Sequence, residues 1–77
     1  MNTSKYSYAD MCARIKKLRG KNTLKWTCTR LEEYSCRISE STLSKYENGQ
    51  SQMSSDFLVA CSHLYHCSMD YLYFGEG

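Results

Sequence analysis

Three observations predict an all-α domain of five helices. Proline is absent from the 77 residues and the four glycines are scattered, so little in the chain would interrupt a helix except at its ends. Apolar residues recur three and four apart, most clearly at Tyr8, Met11, Cys12, Ile15 and Leu18, which is the spacing that lines one face of a helix. A serine or threonine precedes each such stretch, where its hydroxyl can accept an unpaired N–H of the first turn.

The elements follow in order. Tyr8 to Arg19 is predicted as the first helix, with Ser7 as N-cap, Asp10 three residues on in the manner of a capping box, and Gly20 as the stop. The second is predicted from Cys28 to Ser35, capped by Thr27, with Leu31 and Tyr34 inward and Trp26 packing at its entry. A rival capping box, Thr29-Arg30-Leu31-Glu32, leaves that boundary open. The third is expected from Glu40 to Asn48, with Ser39 as N-cap and Gly49 closing it. Leu43 and Tyr46, with Ile38 just ahead, form its apolar side; Glu40, Ser41, Ser44 and Lys45 form a side of hydrogen-bonding groups. The fourth is expected from Ser55 to Tyr65, capped by Ser54, with Phe57, Leu58, Cys61, Leu64 and Tyr65 inward. The fifth runs from Met69 to Phe74 between Ser68 and Gly75.

Size and charge bound the function. A chain this short buries only about 60% of its unfolded surface, leaving no room for an enzyme cleft beside a regulatory domain. No apolar run approaches the roughly 20 residues that span a bilayer. The start, Met1-Asn2-Thr3-Ser4-Lys5, is polar and unlike a secretory signal. A cytoplasmic protein is therefore expected, with residues 1–6 as a flexible N-terminus and 7–77 as one domain. Five cysteines, an odd number without a signal peptide, argue for reduced thiols used as small apolar side chains. All ten lysines and arginines lie between Lys5 and Lys45, against four acids there, a net charge of +6; from Tyr46 onward four acids and no base give −4. A basic half is the footprint of a polyanion partner, and a short helix offering polar groups from its N-terminal end fits a DNA major groove.

The run Ile38-Ser39-Glu40-Ser41-Thr42-Leu43-Ser44-Lys45-Tyr46-Glu47-Asn48-Gly49 resembles the recognition helix of the Cro/lambda-repressor-like helix-turn-helix family, which includes the XRE-type regulators. Arg14-Ile15-Lys16-Lys17-Leu18-Arg19 is similar to that family's first helix, and Ser68 to Glu76 to its C-terminal signature. Set against the family, the loop Gly20–Lys25 is about two residues longer and the turn at Cys36-Arg37 one longer and without its glycine. Cys28 falls where a phosphate-touching Gln opens helix 2, Glu32 falls where a small residue is usual, and His66 falls where Gly often ends helix 4.

The resemblance implies a sequence-specific regulator of double-stranded DNA, a repressor of bacterial or phage type. Base contacts would come from Glu40, Ser41 and Lys45, with Ser44 as a lesser candidate; Lys45 can donate to guanine, and Glu40 can accept from a cytosine amine. Thr42, Asn48, Gln50 and Ser51 match positions that bond backbone phosphates, while Arg14, Lys25, Arg30 and Arg37 add screened attraction. Arg19 and Glu47 match positions that form a largely buried ion pair between helices 1 and 3. A homodimer on a pseudo-palindrome is expected, because one module reads only about four or five base pairs; Tyr65, Tyr71, Tyr73 and Phe74 are the candidate interface.

Two readings compete. Cys61, His63, His66 and Cys67 lie within seven residues and offer the sulfur and imidazole that suit zinc or copper in a metal- or thiol-responsive regulator, though their spacing matches no standard zinc module. A protein-binding module, such as an antitoxin or anti-repressor, would use the fold without DNA. No catalytic set, cofactor motif or small-molecule site is evident, and no enzyme is expected.

Overall fold

The computed structural model describes residues 6–76. Among them are five helices and no strand: α1 (Tyr8–Arg19), α2 (Leu24–Glu32), α3 (Glu40–Glu47), α4 (Ser55–Leu64) and α5 (Met69–Phe74). Of the expected flexible N-terminus, residues 1–5 lie outside the described residues, as does Gly77.

Each helix begins on the same device. The hydroxyls of Ser7, Thr23, Ser39, Ser54 and Ser68 accept the backbone N–H three residues on, and each such cap contributes about 1 kcal/mol. The C-terminal ends of α2, α3 and α4 also share one design. The N–H of Cys36 donates to the carbonyl of Leu31, that of Gln50 to Lys45, and that of Cys67 to Ser62. In each case the residue before the donor is left-handed: Ser35 at φ 64°, Gly49 at φ 75° and His66 at φ 53°. Only the middle one is glycine. Ser35 and His66 hold this conformation at a cost of about 1 kcal/mol each.

The core is built from one stripe of each helix: Met11, Cys12 and Ile15 from α1, Cys28 and Leu31 from α2, Leu43 from α3, Phe57, Leu58, Ala60, Cys61 and Leu64 from α4, and Leu72 from α5. Cys36 and Met53, from the connections, complete it. Helix α1 meets α3 and α5, α2 meets α3 and α4, and α4 meets α5. All five cysteines are free; four are buried and Cys67 is half-buried. Burial pushes every one of these thiols above its ordinary pKa, Cys61 furthest, so they behave as neutral packing groups.

Helix α2 begins four residues before the sequence reading placed it. Starting at Leu24 puts Leu24, Thr27, Cys28 and Leu31 on one inward stripe, whereas a start at Cys28 would have buried only Leu31 and Tyr34. Thr27 is therefore not a cap. It is fully buried, its hydroxyl donating to the Thr23 carbonyl at 2.9 Å. Tyr34 lies beyond the helix, its ring 5.6 Å from that of His63, and Trp26 faces outward, 42% exposed. The connection before α2 is residues 20–23 and that after it is the longer, 33–39. Helices α3 and α4 end one residue earlier than expected, with Asn48 and Tyr65 as C-caps.

Candidate nucleic-acid interface

Helix α3 divides cleanly into two faces. Leu43 and Glu47 are buried, and Tyr46 packs on Phe57 with ring centroids 4.7 Å apart. On the other side Glu40, Ser41 and Lys45 are exposed and Ser44 is half-buried. At 3.6 residues per turn, these four and Asn48 span an arc of about 140°. The side-chain amide of Asn48 donates to the Ser44 hydroxyl at 3.4 Å. Thr42 belongs to the cap: its N–H donates to the Ser39 hydroxyl at 3.1 Å, and that hydroxyl donates to the Thr42 oxygen at 3.0 Å.

Two ties to α1 hold this helix and the loop after it. The Arg19 guanidinium grips Glu47 through two bonds, Nε to Oε2 at 2.8 Å and Nη2 to Oε1 at 2.9 Å. The Glu47 side chain is 2% exposed and that of Arg19 16%. The bonds to Glu47 raise the Arg19 pKa, keeping the cation fully charged. Its Nη1 also donates to the Asn22 carbonyl at 2.5 Å, so one side chain joins α1, α3 and the connection that leads to α2. The second tie is Tyr8. Its hydroxyl donates to the Ser51 carbonyl at 2.5 Å and accepts the Met53 N–H at 2.9 Å, positioning Gln50 and Ser51 beside the C-terminal end of α3. Nothing in the helical spacing of Tyr8 signals this second role.

The remaining basic residues do not form one set. Arg14 is bonded within the protein: its Nη1 donates to the Leu72 carbonyl at 2.7 Å, and its guanidinium lies 5.9 Å from the centre of the Tyr71 ring. It satisfies an unpaired carbonyl at the negative end of α5, a structural task that competes with a phosphate contact. Arg30 stacks over Trp26 at 5.7 Å and lies 3.4 Å from Glu33. Lys25, in the first turn of α2, and Arg37, in the α2–α3 connection, are exposed. Cys28 sits buried in mid-helix, so it has no outward reach; the first residue of α2 is Leu24, whose side chain carries no donor.

The aromatic C-terminal candidates also separate. Tyr65 turns inward, as its place on the apolar stripe of the fourth helix implies. Its hydroxyl is buried near Thr27 and Cys61 without a hydrogen bond of good geometry, and burial pushes its pKa far above the ordinary phenol value. Tyr71 and Tyr73 are half-buried, Tyr73 with its ring 5.7 Å from Tyr6 and 6.1 Å from Phe74, which is 39% exposed. The four candidate metal ligands do not share one environment. Cys61 is in the core and His63 is turned to Tyr34. No group of three or more His, Cys, Asp or Glu side chains among the described residues could hold a metal ion.

A helix-turn-helix family profile matches residues 15–72, from the C-terminal part of α1 to most of α5, and centred on the two-faced helix just described. The chain belongs to the Cro/lambda-repressor-like, XRE-type helix-turn-helix family. It is a DNA-binding transcription regulator in the general sense of that family, and its helix-turn-helix is α2, the long turn and α3. Searches of the curated proteins and of the solved structures return no match. No helix among the described residues is long and apolar enough to cross a membrane.

Proposed function

We propose that this helix-turn-helix protein is a sequence-specific repressor that binds a pseudo-palindromic operator as a homodimer, with α3 in the major groove. The observation that carries the reading is the exposed polar arc of α3 on a helix pinned by a buried ion pair. Lys45 donates to guanine O6 or N7, Glu40 accepts from a cytosine N4 amine, and Ser41 bonds either purine or pyrimidine edges, with Ser44 in support. Thr42, Asn48, Gln50 and Ser51 place α3 against the phosphates, and Lys25, Arg30 and Arg37 add attraction that salt screens. Glu40 also lies in the first turn of α3, where it complements the positive end of the helix dipole. Two copies meet through the aromatic surface of Tyr71, Tyr73 and Phe74, setting two α3 helices about one turn of DNA apart.

The test is selection of binding sites from a random duplex library, followed by affinity against salt for the wild type and Lys45→Ala. A two-fold symmetric site, a steep salt slope and preference relaxed at one symmetric base position in the variant support the reading. No enriched site, with binding indifferent to Lys45, refutes it and turns attention to a protein partner, for which the exposed Trp26 would be the natural anchor.

A further inference from the structure

A cleft of about 470 Å³ lies between α1 and the C-terminal end of α3, lined by Tyr8, Ala9, Cys12, Ala13, Lys16, Glu47, Asn48 and Gly49. Its α1 wall is open because it carries two alanines. Its far wall is open because Gly49 has no side chain: a Cβ there would meet nothing nearer than the Cys12 sulfur at 4.0 Å. Two charged side chains line it, and they differ in availability. The Glu47 carboxylate is spent on Arg19, at 2.8 and 2.9 Å. Lys16 is exposed and makes no ion pair among the described residues. The cleft is thus electropositive at its mouth, beside the exposed amide of Asn48.

We infer that Lys16 is a DNA-backbone contact of this protein, reaching a phosphate from α1 across the cleft alongside Asn48. The inference rests on the proposed reading of α3 and deepens it, replacing Arg14 by Lys16 as the cation that α1 offers to DNA. Arg14, two residues earlier, points to the opposite neighbour, α5, where its guanidinium is bonded. Lys17, the next residue, is equally exposed but does not line the cleft. Three cations within about one turn of α1 therefore have three different environments: bonded inside the protein, facing the α3 edge, and facing solvent. Only the second can hold a phosphate against a group already placed by α3. A lysine suits this position, because a point charge on a flexible stem needs no planar partner.

The test measures binding of the library-selected duplex against salt for wild type, Lys16→Ala and Lys17→Ala, with ethylation interference on the same duplex. Each phosphate contact removed should flatten the log–log salt slope by about 0.9. The expected result for Lys16→Ala is a slope flattened by about 1.8, two contacts being lost per two-fold site, with base preference unchanged and loss of interference at one phosphate per half-site, and with Lys17→Ala like wild type. An unchanged slope for Lys16→Ala overturns the inference, as does an equal reduction in both variants, which would mean diffuse attraction. Wild type without salt-dependent binding would bring down the underlying reading and this contact with it, an outcome distinct from a wild type that binds steeply while Lys16→Ala matches it.

Discussion

Helices α2 and α3 are the two halves of one motif, similar in length, each opened by a hydroxyl cap, yet they are held in different ways. Helix α3 is fixed by a charged tie through the interior, Glu47 to Arg19, and presents a polar face of exposed Glu40, Ser41 and Lys45. Helix α2 has no such tie. It is held by a stripe of Thr27, Cys28 and Leu31 against the core and by the Thr23 cap, and its outer face carries an exposed tryptophan. A directional bond fixes rotation about the helix axis in a way that apolar contact does not, since hydrophobic burial is non-directional. The helix that must present particular side chains is the one with the directional bond.

The largest expected effect breaks that tie. Glu47→Ala leaves the Arg19 charge partly buried and unpaired, and should lower stability by about 3–5 kcal/mol in urea unfolding. It should also abolish site-specific binding. Unchanged stability and unchanged binding would remove the difference between the two helices. Next comes Arg14→Ala, which deletes a charge-assisted bond to the end of α5 and should cost about 1.5–3 kcal/mol. Because Arg14 serves the fold, the folded variant should keep the wild-type salt slope; a flatter slope would return it to the phosphate set.

Alkaline pH probes the thiol-lined side, where α2 packs. Unfolded thiols ionise near the ordinary value of 9.0, while burial holds those of Cys28 and Cys61 above it. A native pKa raised above the unfolded one gives stability that is complete below about pH 9 and lost as pH rises through the native value. The unfolding free energy from urea titration should therefore hold up to pH 8 and fall from pH 9 upward, by as much as about 1.4 kcal/mol per pH unit for the fully buried Cys61, and the midpoint should fall with it. A flat midpoint to pH 11 would contradict the buried-thiol account. The smallest effect sharpens the boundary of α2: Thr23→Ala should cost about 1 kcal/mol and Thr29→Ala close to nothing. The reverse order would favour the later start.

The sequence was most legible where a helix has an unambiguous signal at both ends. Helices α1 and α5 lie between a serine and a glycine and were bounded correctly, and α3, between Ser39 and Gly49, was misjudged by one residue. For helix α2 the reading weighed Thr27 and Thr29 as caps and missed Thr23, and no glycine marks its end, because Ser35 takes the left-handed position. Propensity alone could not choose among them; the buried stripe did. The two-faced character of α3 was visible from its spacing. The tasks of Arg14 and Tyr8 were not, since their partners lie 58 residues away at Leu72 and 43 and 45 away at Ser51 and Met53, and a hydrogen bond over that separation leaves no local pattern. Tyr65 was read both as part of the inward stripe of α4 and as an interface aromatic, and the inward reading is the one its buried hydroxyl matches.

The most direct test of α3 as the base-reading element is methylation interference on the selected duplex, comparing guanine N7 in the major groove with adenine N3 in the minor groove. The account predicts interference at symmetric guanines in each half-site, lost at one of them in Lys45→Ala, with the unfolding midpoint of that variant unchanged. Interference confined to adenine N3, or a guanine pattern indifferent to Lys45, would contradict it.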